Sequence, residues 1–219
     1  MPQVFPGNTN ILARASLALA VPLAATLLWA ALVSIRSSFG TGIAVTVDQP
    51  VEFSHQHHAG ILGIDCRYCH TSVEHSAFAG IPPTKTCMNC HSQIWVGSRM
   101  LEPVRESYRK NEPLRWNRVH NLPGFVYFDH SIHVQKGVGC STCHGRVDEM
   151  PLMSQVSSLL MEWCLDCHRN PEQQIRPRSE VFNMRYQPPA NQIELGRKLV
   201  DEYKVRDSHT LTSCSVCHR

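Results

Sequence analysis

Hydrophobic and polar positions are spread very unevenly along this chain. Residues 15–35 form one uncharged run between Arg14 and Arg36, rich in Ala, Leu and Val. At about 1.5 Å per helical residue the run reaches roughly 31 Å, close to the hydrocarbon thickness of a bilayer. It predicts a membrane-spanning helix over 15–36, with residues 1–14 as an N-terminal tail. Pro22 lies inside the run, and membrane helices tolerate proline. A cleaved signal peptide is the rival reading, but its apolar core is ordinarily shorter, so a retained anchor is expected. After it, Phe39-Gly-Thr-Gly42 reads as a short flexible linker. Downstream, only two stretches keep a helical apolar period. One covers about 92–110, with Ile94, Leu101, Val104 and Tyr108, and holds Pro103 as a potential break. The other covers about 190–205, with Ile193, Leu199, Val200 and Tyr203. The rest predicts short helices joined by long loops.

Composition explains why so little regular structure is expected. Of 219 residues only 7% are aromatic, while 12 are Gly and 14 are Pro. Few large side chains are available to fill a core. A formal net charge of +3 gives no argument for nucleic-acid binding.

The cysteines change the picture. There are 10, and each falls in a Cys-x-x-Cys-His unit: Cys66–His70, Cys87–His91, Cys140–His144, Cys164–His168 and Cys214–His218. This is the attachment signature of c-type haem. Two thiols, Cys66 and Cys69 for example, reach two vinyl groups on one porphyrin edge, and the following His sits under the iron. The same logic covers Cys87 and Cys90, Cys140 and Cys143, Cys164 and Cys167, and Cys214 and Cys217. Zinc sites and redox disulfides also use Cys-x-x-Cys, but neither requires a His after every second cysteine. The expected cofactors are therefore five haem c groups, with His70, His91, His144, His168 and His218 as proximal iron ligands.

About one haem per 35 residues leaves no room for an ordinary core, and small domains need covalent staples. The fold class expected is mostly α with extensive loops and little β. One N-terminal transmembrane helix precedes a haem-packed domain over 37–219, similar to class III multihaem cytochromes. Haem is attached outside the cytoplasm, so residues 1–14 are expected to be cytoplasmic and 37–219 periplasmic.

A duplication organises the remaining ligands. Phe53-Ser-His55-Gln-His57-His58 precedes Cys66, and Phe128-Asp-His130-Ser-Ile-His133 precedes Cys140. Both read Phe-x-His-x-x-His. Matching positions are 75 residues apart for Phe53 and Phe128, 74 for Cys66 and Cys140, and 77 for Cys87 and Cys164. The modules span about 53–91 and 128–168, with a fifth haem site at 214–218. Histidines three apart share one side of a helix, so each pair can serve two haems. The distal candidates are His55, His58, His130 and His133, with His120 as a further one. His75 and His209 are open between ligands and ordinary polar residues, and His57 is expected to face away. The second spacer has no counterpart of His75 but carries Met150 and Met153. A thioether is a good distal ligand that raises the reduction potential, so Met150 is a candidate, with Met153 and Met161 as alternatives. Basic residues such as Arg67, Arg105, Arg109, Arg146 and Arg169 lie near the motifs, and some are expected to pair with haem propionates.

Several stretches resemble a known family. Phe53 to Glu74 with Cys-Arg-Tyr-Cys-His, Ile81-Pro-Pro-Thr84, Cys87-Met-Asn-Cys-His91, Arg118 to Phe128 and Trp163 to Arg169 look like the pentahaem cytochrome c subunit (the A subunit) of alternative complex III. That resemblance implies an electron-transfer subunit without a substrate site of its own. It would sit in a bacterial inner-membrane quinol:electron-acceptor oxidoreductase. The implied partners are multispan membrane subunits, an iron–sulfur and molybdopterin-like subunit, and a periplasmic cytochrome c, copper protein or oxidase. The alternative is a stand-alone membrane-anchored multihaem quinol dehydrogenase feeding a periplasmic reductase. A catalytic multihaem enzyme such as a nitrite reductase needs an iron with an open position, for which these motifs give no sign.

Overall fold

The computed structural model describes residues 5–218; the first four residues of the expected N-terminal tail and Arg219 lie outside it. The chain divides into two compact units, residues 1–43 and 44–219.

The first unit is dominated by α1, Thr9–Arg36, 28 residues long. It begins six residues before the expected start and takes in Arg14. Pro6 opens it, its carbonyl accepting hydrogen bonds from the Thr9 amide and Oγ1, and Ile11, Leu12 and Ala13 then continue a helix-compatible sequence. Apolar side chains surround α1 on all sides and none of its residues is buried within the chain. A helix of that kind needs lipid or another protein around it. By length and composition it can cross a membrane. The expected linker is more ordered than its composition implies: Ser38–Thr41 closes one helical turn, α2, ended by Gly42 at φ 70°.

The second unit is built of short helices: α3 (Cys66–Cys69), α4 (Thr84–His91), α5 (Glu102–Lys110), α6 (His130–Gln135), α7 (Cys140–His144), α8 (Met161–Arg169), α9 (Gln192–Glu202), α10 (Ser208–Leu211) and α11 (Cys214–Cys217). A six-residue π-helix, Gln56–Ile61, precedes α3. Among the described residues there are no strands, only isolated bridges such as Val126 to His218 and Val138 to Ile175.

Each attachment motif occupies about one helical turn. The His70 amide donates to the Cys66 carbonyl at 2.8 Å, and the His218 amide to the Cys214 carbonyl at 2.9 Å. That turn brings both thiols and the imidazole to one side. Asp65 starts α3 by accepting from the Arg67 amide at 2.8 Å, an N-cap bond.

The apolar core is small. Val51, Leu101 and Val104 form one buried cluster, with Met88 and Trp116 against it. Ile175, Leu199 and Tyr203 form another, with Val138 and Leu195 against it. Both clusters draw on the two stretches with helical period. The first of these helices is shorter than its pattern: α5 starts at Glu102, behind a single 3₁₀ turn at Arg99–Leu101. Pro103 explains this, because it sits in the first turn of α5, where its missing N–H costs no hydrogen bond. It marks the helix start rather than a break. α5 carries ion pairs from Glu102 to the half-buried Arg105 and the exposed Arg109, and from Glu106 to the exposed Arg109 and Lys110.

Candidate functional site

The two Phe-x-His-x-x-His segments fold alike. In the first, the Phe53 ring stacks on His58 with centroids 4.4 Å apart and meets His55 edge-on at 4.9 Å. In the second, Phe128 stacks on His133 at 4.5 Å and meets His130 edge-on at 4.8 Å. The second histidine of each pair is anchored one turn back. His58 Nδ1 donates to the Ser54 carbonyl at 2.8 Å, and His133 Nδ1 to the Asp129 carbonyl at 2.6 Å. His130 Nδ1 donates to the Ala77 carbonyl at 2.8 Å, reaching from the second module to the first. His55 Nδ1 is buried without a hydrogen-bond partner. His57 turns outward, exposed and stacked on Trp95.

The attachment histidines are held the same way. His70 Nδ1 donates to the Gly80 carbonyl at 2.7 Å, His91 to Ile94 at 3.2 Å, His168 to Leu211 at 3.0 Å and His218 to Phe125 at 3.2 Å. An imidazole tied through Nδ1 presents Nε2 as a fixed ligand. His144 differs: its Nδ1 lies 3.3 Å from Nε2 of His120.

These rings meet in pairs. His58 and His91 have centroids 6.2 Å apart, His130 and His144 6.3 Å, and His133 and His168 6.3 Å. A metal bound to both imidazoles at about 2.0 Å per bond sets ring centres about 6 Å apart. The neighbouring His70 imidazole adds to burial in lowering the His55 titration. Among the described residues no three His, Cys, Asp or Glu converge as a zinc site requires. All ten cysteines are free. Paired imidazoles beside free Cys-x-x-Cys thiols fit haem c, and they fit neither a zinc cluster nor a set of disulfides.

Burial dominates the local electrostatics. It drives the His144 imidazole down to about 3, helped by its histidine neighbours, and His55 down to about 4. Both rings are neutral at pH 7, the form that binds metal. Burial also pushes the thiols up, Cys140 to about 11 and Cys143 to about 12. Such thiols are poor redox nucleophiles.

Of the other expected site residues, Met150 is half-buried, and its carbonyl accepts from the Gln56 amide at 3.0 Å, beside the first two-histidine segment. His75 and His209 are exposed. Several basic residues near the motifs already have carboxylate partners: Arg67 pairs with Asp65, and Arg146 with Asp148 and Glu149. Sequence reasoning passed over Arg176. It is buried, lies 4.5 Å over the Tyr186 ring, and donates to Ser141 Oγ and Thr142 Oγ1, both inside the third motif. No local pattern around Arg176 marks it.

Residues 126–219 match the family described as cytochrome c7 and related cytochrome c. The matched region includes three of the five attachment motifs. The multiheme cytochrome c subunit of menaquinone reductase from Nitratidesulfovibrio vulgaris is 35% identical over 99 residues. That alignment covers 44% of this chain and 46% of the relative, so the chain spans about half the length of the curated relative it matches. Helical structure without strands among the described residues, the attachment motifs and these similarities define a cytochrome c7-like multihaem cytochrome c domain.

Proposed function

We propose that this chain is the electron-transfer subunit of a membrane quinol:electron-acceptor oxidoreductase of the alternative complex III type, holding five haems c. The imidazole pairs support this most. Each of His58, His130 and His133 faces an attachment histidine at 6.2–6.3 Å. Iron held by two imidazoles has no open position, which suits electron transfer rather than substrate chemistry. When bound, each haem supplies a one-electron iron couple.

In this reading the ten motif cysteines form the thioethers, and His70, His91, His144, His168 and His218 are the proximal ligands. His55 serves the His70 site, His58 the His91 site, His130 the His144 site and His133 the His168 site. Both sites of the second module then have two imidazoles. A methionine ligand such as Met153 or Met161 is left for the His218 site, since Met150 lies beside the first two-histidine segment. The duplication follows one rule: the first histidine of each pair serves the first haem of its module, and the second serves the second.

The apolar helix α1 anchors the chain in the inner membrane, with residues 1–14 cytoplasmic and 37–219 periplasmic. The partners are the quinol-oxidising membrane subunits, the iron–sulfur and molybdopterin-like subunit, and a periplasmic cytochrome c, copper protein or oxidase. The Nitratidesulfovibrio relative supports membership of a quinone-reactive complex, although its name places it in a menaquinone reductase, which works in the opposite sense.

Purification from detergent-solubilised membranes tests this reading. The expected result is five haems per chain by pyridine haemochrome, all low-spin at low temperature, together with large multispan subunits. A high-spin haem that binds nitrite or cyanide overturns it. Isolation alone, with quinol dehydrogenase activity, supports the stand-alone enzyme instead.

A further inference from the structure

The proximal histidine of the third motif is held unlike the other four. His70, His91, His168 and His218 each donate Nδ1–H to a backbone carbonyl. His144 instead turns Nδ1 toward Nε2 of His120, 3.3 Å away. The two rings stand at 76° with centroids 4.3 Å apart, as an edge-on contact requires. On its other side His144 faces His130 at 6.3 Å, the planes only 7° apart. Nδ1 is therefore taken up by His120, and Nε2 remains for the side shared with His130. The His120 segment is held near its end, where the Val126 amide donates to the Pro123 carbonyl at 2.9 Å and Val126 bridges to His218.

We infer that His120 is a positioning residue for the haem at the third motif, accepting the Nδ1–H hydrogen bond of the axial ligand His144. The inference rests on the haem reading proposed above and deepens it at one site. Iron on Nε2 of His144 leaves the proton on Nδ1, so His144 donates and His120 accepts. An imidazole nitrogen is a stronger base than a carbonyl oxygen. It draws more imidazolate character onto the ligand, as partners beyond the ligand shell do when they raise ligand basicity. More basic ligation favours ferric iron. The haem of the third motif is therefore poised lower than it would be with a carbonyl partner.

Two variants of the full-length chain in its intact membrane complex test this, read by spectropotentiometric titration and low-temperature electron paramagnetic resonance. His120→Phe keeps the bulk and removes the acceptor. The expected result is five bound low-spin haems, one midpoint moved upward and the others moved by less, through their charge interaction with it. One low-spin signal changes its g values. His120→Gln supplies an oxygen acceptor like those at the other four sites, and its midpoint should fall between wild type and His120→Phe. Unchanged midpoints in both variants overturn the inference. So does a new high-spin haem, which would make His120 an iron ligand. Haem content falling to four in both variants also overturns it, since His120 would then serve assembly alone. A haem count below five in the wild type would instead refute the underlying reading.

Discussion

Asp148 shows how one residue can tie the haem sites together. Its side chain is only 7% exposed and accepts from Arg146 Nε and Nη2 at 2.8 Å each, with Arg185 at 3.4 Å. Its backbone carbonyl closes on Gly60 of the first two-histidine segment so tightly that an added Cβ would collide with it. Hydrogen bonding from Arg146 outweighs burial and holds the Asp148 carboxyl below its ordinary range. The folded pKa lies below the unfolded one. This stabilisation is therefore complete above the ordinary carboxylate range, near pH 4, and is lost as pH falls from there through the depressed folded value. Asp148→Asn should cost about 1–3 kcal/mol at pH 7, the usual scale for a buried hydrogen bond to a charged group. Denaturation midpoints measured at pH 7 and pH 3 check this. The gap between variant and wild type should be clear at pH 7 and narrow at pH 3; an equal gap at both would refute the electrostatic account.

At the scale of elements, the helix most sensitive to a single atom is α9. Gly196 faces the Glu172 carbonyl so closely that a Cβ there would collide with backbone. Gln192 at the start of α9 donates to the Glu172 and Ile175 carbonyls at 3.0 and 2.8 Å. Leu199, followed by Tyr203, seals the contact against Ile175. Backbone cannot give way as a flexible side chain can. Gly196→Ala should therefore lower stability by about 1–3 kcal/mol through overpacking. Gly97→Ala, where an added Cβ meets nothing within 4 Å, is the control. Thermal melts of the two haem-loaded variants separate them, and equal melting points would mean that α9 can move off Glu172. The existence of α9 and α5 was legible because their apolar periods are local. The start of α5 was not, because a proline serves equally as a breaker or as a first-turn residue until the preceding backbone is known. The attachment motifs and both Phe-x-His-x-x-His pairs were legible for the same reason of locality. Which imidazole faces which was not: His58 meets His91 across 33 residues of sequence, and the contact of His120 with His144 depends on a loop with no regular period.

Across the whole second unit, the attachment motifs do not follow one another in space as they do in sequence. The first and second are neighbours: Asn89 Nδ2 donates to Tyr68 OH at 3.0 Å. The first also adjoins the third, since His130, which faces His144, is anchored on the Ala77 carbonyl. The third and fourth share α6, whose His130 and His133 face His144 and His168. The fourth meets the fifth where His168 donates to the carbonyl of Leu211, three residues before Cys214. These contacts link the motifs in the order second, first, third, fourth, fifth, with the first between the second and the third. Neighbouring redox centres shift one another's midpoints through their charges, and the effect fades with distance. Removing the second attachment site with Cys87→Ala and Cys90→Ala should therefore shift one remaining midpoint. Removing the first site with Cys66→Ala and Cys69→Ala should shift two. A chain ordered as in the sequence would give the reverse, because the second site would then have two neighbours and the first only one. Potentiometric titration of the two variants, each confirmed to have lost one haem relative to wild type, distinguishes the two orders by which loss disturbs more of the survivors.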